Sequence, residues 1–324
     1  MPNDARLRIH YHRDFDGMVA GAVLATILRE LRAEDPCWAS INYDQRTDWT
    51  AFGAGERFAV VDFHFHPRAE YWFDHHATTF LTPALRAQYQ QSDRWHWDET
   101  SPSCPPLILA HGKAHWGYQA PERFLEMARW SDKIDAARYV DVEEAVFGDH
   151  AALRISRALT AAPNNDWIDE IVGALAEDDL ETVAARPDLE KVYQRAARNR
   201  DRALEQFPPT VESRRGKVLL YDASSHQIRR ERFAPFYHHP EVHYCVGVIP
   251  TRAGFHVSAG ENPWNPPPAA GQPTAHIGQI MEAYGGGGHR SVGGANPESL
   301  QAARRVAGEI AELLRKALEA RTTP

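Results

Sequence analysis

Two short runs near the N-terminus gather residue types that hold metal ions. IHYHRDFDG, residues 9–17, carries His10, Asp14 and Asp16, and YWFDHHATTF, residues 71–80, carries Asp74, His75 and His76. Asp14 and Asp16 are two apart, so in extended backbone both carboxylates face one way. His75 and His76 are adjacent, so on a strand they point to opposite sides and would do different work. Between these runs, RFAVVDF, residues 57–63, closes an apolar stretch on Asp62. Hard divalent cations such as Mn²⁺ accept imidazole together with carboxylate oxygen, whereas an all-oxygen set favours Mg²⁺ or Ca²⁺. Two histidines with several carboxylates suffice for two ions that share one carboxylate. Such ions sit roughly 3.5–4 Å apart, and their chemistry is to activate water and hold an attacked phosphorus. One Asp or His at a strand end is ordinarily a cap or a surface group. Their joint occurrence at three successive strand ends points to metal. His12, His64 and His66 alternate with apolar or aromatic neighbours and read as facing solvent or the edge of the site, outside the ligand set.

A second candidate lies far along the chain, in YGGGGHRSVGGA, residues 284–295. Gly286, Gly287 and Gly288 allow positive φ and close backbone approach, which can turn several N–H groups towards one anion. His289 and Arg290 add groups suited to a phosphate. A glycine run alone would read as a loop or a helix stop. Joined to His-Arg, in a chain that also carries the metal set, it reads as a phosphate-binding site.

These residues need elements to position them. RLRIHYH reads as a strand, GMVAGAVLATILRELRA as an amphipathic helix, and RFAVVDF and YWFDHH as buried parallel strands. CPPLILAHG and PERFLEMARWSDKIDAARY read as helices, the second bearing Asp132 and Asp135. Strand and helix alternate, which predicts an α/β fold with a parallel sheet and ligands at the strand ends. PDLEKVYQRAARNRDRALEQF reads as one charged connecting helix. Beyond it, KVLLYDAS, VHYCVGVIP and GFHVSAG are strands and AHIGQIMEAY a helix. A last helix is expected from NPESLQAARR, with Asn296 as N-cap and a buried stripe of Val306, Ile310, Leu313 and Leu314. The expected organisation is a catalytic metal-binding domain over 1–186, a helical linker over 187–214 and a smaller α/β substrate-binding domain over 215–324.

A chain of 324 residues suits two domains, and 43% hydrophobic with 25% charged residues describes an ordinary folded protein. No apolar run is long enough to span a membrane, and MPNDARLRIH lacks the layout of a signal peptide. Three scattered cysteines fit reduced thiols, so a cytoplasmic setting is expected. A net charge of -8 disfavours an obligate long nucleic acid, yet a short anionic substrate held by metal is compatible with it.

In order along the chain, HYHRDFDG, VVDF, DHH and GGGGH resemble the motifs of the DHH/DHHA1 phosphoesterase superfamily, and with the domain layout they cover essentially all of it. That group includes RecJ-type exonucleases, nano-RNases and cyclic-di-AMP phosphodiesterases. The resemblance implies an N-terminal parallel-sheet DHH domain, a C-terminal DHHA1 domain and an active site in the cleft between them. It implies two Mn²⁺ ions, with Mg²⁺ or Co²⁺ as alternatives. His10 and Asp14 would hold one ion and Asp16 and His75 the other, with Asp62 bridging. Asp132 would be the last ligand, with Asp135 in reserve. Asp74 would orient a ligand histidine, and His76 would face the scissile phosphate. One departure stands out: many members carry an Arg-Ser pair on the strand before the glycine loop, where this chain has Gly260, Glu261 and Asn262. Arg290 would supply the guanidinium, and Trp264 could stack on a base.

The activity expected is a Mn²⁺-dependent phosphodiesterase acting on short nucleotides. The alternatives are a phosphomonoesterase acting on a bisphosphonucleoside such as 3′-phosphoadenosine-5′-phosphate and a cyclic-dinucleotide phosphodiesterase. A non-catalytic scaffold of the superfamily is a further reading, against which the complete ligand set argues. The partner expected is a phosphoester substrate, with no membrane; a homodimer is compatible.

Overall fold

The computed structural model describes residues 6–42, 48–225, 231–251, 254–268 and 275–322. The chain divides into two compact units, Met1–Arg138 with Asp149–Ala196, and Tyr139–Gly148 with Ala197–Pro324.

The first unit is built on β1 (Arg8–His12), β2 (Cys37–Ile41), β3 (Phe58–Val61), β4 (Tyr71–Asp74) and β5 (Trp95–Trp97). All pair in parallel, in the order β2-β1-β3-β4-β5. Side chains alternate between the two faces of this sheet. Ile9, Tyr11, Ala59, Val61, Tyr71 and Phe73 join the helical core on one face. Phe58, Val60 and Trp72 join an aromatic cluster with Trp49, Phe63 and Phe65 on the other. Burial on both faces is why β3 and β4 read as unbroken apolar runs.

The helical face carries α1 (Phe15–Arg32), with α3 (Cys104–His111) and α4 (Glu122–Asp135) packed on it; a short α2 (Pro83–Gln88) joins β4 to β5. Residues 15–28 of α1 are all buried, because the helix lies between the sheet and its neighbours. Asp14 caps it, its Oδ1 accepting from the Gly17 N–H at 2.9 Å. Gly17 is needed for close approach: a Cβ there would stand 2.2 Å from the His12 carbonyl oxygen. The helix can therefore start directly beneath the end of β1. Next come α5 (Val142–Phe147) in the second unit, then α6 (Ala151–Leu159), α7 (Asn165–Glu177) and α8 (Leu180–Ala184) in the first. The charged connector forms one helix, α9 (Pro187–Gln206).

The second unit has β6 (Val211–Arg215), β7 (Val218–Asp222), β8 (Tyr244–Thr251), β9 (Gly254–Glu261), β10 (Gly287–Gly288) and β11 (Val292–Ala295), in the order β10-β11-β9-β8-β7-β6. Among the described strands of this second sheet, only β7 and β8 pair in parallel. Its helices are α10 (Ala234–His238), α11 (Ile277–Glu282) and α12 (Leu300–Thr322). α12 differs from expectation at its start. Ser299 caps it, Oγ accepting from the Ala302 N–H at 3.2 Å, while Asn296 is turned aside to the His256 ring at 2.8 Å. Val306, Ile310 and Leu314 are buried as expected, but Leu313 is 46% exposed. Among the described residues, no helix is long and apolar enough to cross a membrane.

Candidate metal centre

Strand order reverses direction between β1 and β3, the point where parallel sheets open a crevice at the carboxyl ends of their strands. His12 ends β1, Asp14 caps α1, and Asp16 sits in its first turn. Asp62 follows β3, Asp74 ends β4, and His75 and His76 follow. Asp135 is the last residue of α4. These side chains form three overlapping groups with metal-ligand spacing: His12, Asp14 and Asp62; Asp16, His75 and Asp135; and Asp62, Asp74, His75 and His76.

Asp62 stands at the centre. One oxygen lies 3.5 Å from His12 Nδ1, and the other lies 3.3 Å from His75 Nε2 and 3.6 Å from His76 Nδ1. His75 Nε2 also faces Asp16 at 3.4 Å and Asp135 at 3.8 Å, and His12 Nδ1 faces Asp14 at 3.0 Å. Both oxygens of Asp62 are buried without a hydrogen bond of ordinary geometry. Donor atoms 3 to 4 Å apart have the spacing of neighbouring ligands around an ion held at about 2.1 Å. Mixed imidazole and carboxylate donors suit Mn²⁺ and its neighbours in the series. The residues fit divalent metal. The backbone agrees: Asp62 adopts φ 57°, a left-handed conformation uncommon outside glycine and found where a site imposes it.

Charge is distributed to match. Burial works against ionisation of Asp62, yet the rings of His12, His75 and His76 hold its carboxyl well below the usual range. Asp16 is pushed well above it, by burial first and by Asp62 next. Burial and the neighbouring carboxylates raise Asp135 to about 6, although His75 opposes this. Burial opposes charge on His76, but the Asp74 carboxylate raises it to about 9, and His12 and His75 are raised as well, by Asp14 and Asp16 respectively. Metal ligands bind deprotonated. Adding Mn²⁺ to ion-free protein should therefore release protons, and affinity should rise with pH as these rings lose theirs. Calorimetric titration in two buffers of different ionisation enthalpy measures the release; no difference between them would contradict it.

The structure brings Asp14, Asp16, Asp62, Asp74, His75 and His76 together and sets two other candidates, His10 and Asp132, apart from them. His10 lies two residues back from the end of β1, against the rings of Phe52 at 4.6 Å and Phe58 at 6.0 Å, and burial lowers it to about 4. His12, at the end of the strand, is the histidine of β1 that faces Asp14 and Asp62. Asp132 instead accepts from Ser103 Oγ at 2.6 Å, while Asp135 reaches His75. We expect His12→Ala to lose about one equivalent of Mn²⁺ and His10→Ala to keep both. Metal analysis of the purified variants checks this, and the reverse pattern would restore His10.

His75 and His76 do not diverge as on a strand. Asp74 Oδ1 accepts from the His75 N–H at 2.9 Å, the His76 N–H at 3.4 Å and His76 Nδ1 at 2.7 Å. This turn ends β4, so both rings come round to Asp62, 4.5 Å apart between centroids. Of the other histidines, His66 is 2% exposed, its Nε2 paired with the Trp49 carbonyl oxygen at 3.0 Å, which is a packing role.

In the second unit the glycine run is a site of close chain contact. A Cβ on Gly278 would meet the Gly288 carbonyl oxygen at 2.2 Å. The N–H groups of Gly285 and Gly286 donate to the carbonyls of Glu282 and Met281, and β10 pairs with β11. The converging amides expected there are thus partly engaged within the fold; His289 is half-buried and Arg290 exposed. Asn262 is 1% exposed, its Nδ2 donating to the Val242 carbonyl at 2.9 Å. Trp264 donates to the Tyr139 carbonyl at 3.1 Å and packs on Phe233.

Neither a family model nor a curated protein matches the chain. Solved structures do. The pGpG-specific phosphodiesterase PggH of Vibrio cholerae is 17% identical, with TM-score 0.65, over 96% of this chain and 100% of that one. Manganese-bound exonuclease RecJ is 12% identical, with TM-score 0.53, over 95% and 90%. RecJ of Thermus thermophilus with Mg²⁺ is 15% identical, with TM-score 0.51, over 95% of this chain and 50% of that one.

Proposed function

We propose, from the premise that this chain has the DHH/DHHA1 two-domain fold, that it is a metal-dependent phosphodiesterase hydrolysing short nucleotides. The observation that carries the reading is Asp62, a buried carboxylate with imidazole nitrogens of His12 on one oxygen and of His75 and His76 on the other. His12 and Asp14 would hold one ion; Asp16, His75 and Asp135 would hold the other, and Asp62 would serve both. Mn²⁺ is assigned on the donor set, with Mg²⁺ or Co²⁺ as alternatives. Bound there, such ions would lower the pKa of water and neutralise charge on the attacked phosphoryl group.

The chain's own groups do the rest. Asp74 fixes the His76 ring through Nδ1, so Nε2 is the nitrogen that meets the substrate and stabilises or protonates its developing charge. His289 and Arg290, with the backbone at Gly286, Gly287 and Gly288, are assigned to a substrate phosphate. Asn262 is buried and Trp264 packs on Phe233, so neither is assigned to the substrate, and Arg290 is taken as the guanidinium for that task.

The likeness to PggH makes pGpG the first substrate to try. With added Mn²⁺, pGpG should be converted to GMP, and a chelator should stop the reaction. Turnover that persists in chelator, or protein that binds Mn²⁺ and leaves pGpG and other short phosphodiesters intact, would overturn the reading.

A further inference from the structure

Residues 101–104, which lead from the loop after β5 into the first residue of α3, reach three groups at or beside the cluster of Asp16, His75 and Asp135, and no role assigned above uses them. The Ser101 carbonyl oxygen accepts from His75 Nδ1 at 3.1 Å. The Cys104 N–H donates to the Asp16 carboxylate, at 3.0 Å to Oδ2 and 3.3 Å to Oδ1. Ser103 Oγ donates to Asp132 Oδ1 at 2.6 Å, and Ser101 Oγ donates to the Ser103 carbonyl at 2.8 Å. The segment therefore closes on itself and is tied to α4. Ser103 is fully buried, at 0% exposure. Asp132 and Asp135 are three residues apart on α4, so they share a helical face.

We propose that residues 101–104 form a positioning strap for the ion assigned to Asp16, His75 and Asp135, anchored by the Ser103–Asp132 hydrogen bond. The inference rests on the two-ion reading above. Each of the three candidate ligands is fixed by a different part of the strap. Donation from His75 Nδ1 to Ser101 leaves Nε2 as the ligating nitrogen, which is the one aimed at Asp16, Asp62 and Asp135. The Cys104 amide orients Asp16 and neutralises part of its charge. The Ser103 hydroxyl holds Asp132, and with it the last turn of α4, at the distance that brings Asp135 to His75. Asp14, by contrast, is fixed by the Gly17 N–H of α1, and His12 by its place at the end of β1. The strap thus acts on one cluster and not on the other.

Groups that orient a metal ligand typically change affinity 10- to 100-fold when removed. The test is calorimetric titration with Mn²⁺ alone of the wild-type chain, Ser103→Ala and Asp132→Asn. Two equivalents are expected for the wild type. In Ser103→Ala one equivalent should weaken by about 10- to 100-fold while the other keeps its affinity, a split that general loosening of the fold would not produce. Asp132→Asn retains an oxygen for Ser103 and should keep both equivalents. Should Ser103→Ala fail to fold, Asp132→Ala, at a half-buried position, should show the same loss at one site. Equal weakening of both equivalents, or no change in either, overturns the strap. Loss of an equivalent in Asp132→Asn overturns it too, by making Asp132 a ligand. Wild-type protein that takes up no Mn²⁺ is a different failure, that of the two-ion reading itself.

Discussion

Asp62→Asn should lower phosphodiesterase turnover by about 10³-fold or more, on the order of 4 kcal/mol, and reduce bound Mn²⁺ from two equivalents to one at most. Two divalent ions about 4 Å apart repel four times as strongly as two unit charges at that distance, so the carboxylate between them bears on both affinities. Asparagine is the informative replacement, because it tolerates the φ of 57° at this position while alanine would add a backbone penalty of about 1–2 kcal/mol. Without metal, the same variant should lower the pKa of His12 and His75, both of which face Asp62. Histidine titration by NMR reads this directly. An active Asp62→Asn variant that keeps two ions would remove the basis of the assignment.

His76→Ala should behave differently, with turnover reduced by about 10²- to 10⁴-fold and both Mn²⁺ equivalents retained. Its ring is held at Nδ1 by Asp74, and on the proposed reading it serves the substrate and not chiefly a metal ion. Asp74→Asn should reproduce a smaller part of the loss, about 10- to 100-fold, since the ring would lose its charged partner. Steady-state kinetics with metal analysis on the same preparations separates the two roles. A His76→Ala protein lacking one ion would place His76 in the coordination sphere, where its approach to Asp62 at 3.6 Å would then put it.

Much of the first unit could be read from sequence because its central strands are buried on both faces, which writes them as unbroken apolar runs: FAVV of β3 and YWF of β4. The carboxylates at their ends were legible for the same reason. The choice between His10 and His12 was not. The two are two residues apart on one strand and share a face, so spacing is silent. Register tells them apart: Tyr11 pairs with Val61, which sets His12 level with Asp62. Asp132 and Asp135 posed the same difficulty on a helix, where one turn separates two aspartates on one face. The two are told apart only by where α4 ends and by Ser103, far away in sequence, which holds Asp132 while Asp135 faces His75. The divergence expected of His75 and His76 failed because the Asp74 side chain captures the next two backbone N–H groups and stops the strand. Short, half-buried β2 and β5 left little pattern to read. The glycine run was read as a place where the backbone approaches a ligand; the structure shows the chain approaching itself there, at Gly278.

On the proposed reading one carboxylate, Asp62, would serve two metal ions. Electron paramagnetic resonance of the protein loaded with two equivalents of Mn²⁺ distinguishes this from two separate sites. The expected spectrum is that of an exchange-coupled Mn²⁺ pair, replaced in Asp62→Asn by that of isolated ions. A wild-type spectrum of isolated Mn²⁺ alone, at full loading, would contradict it.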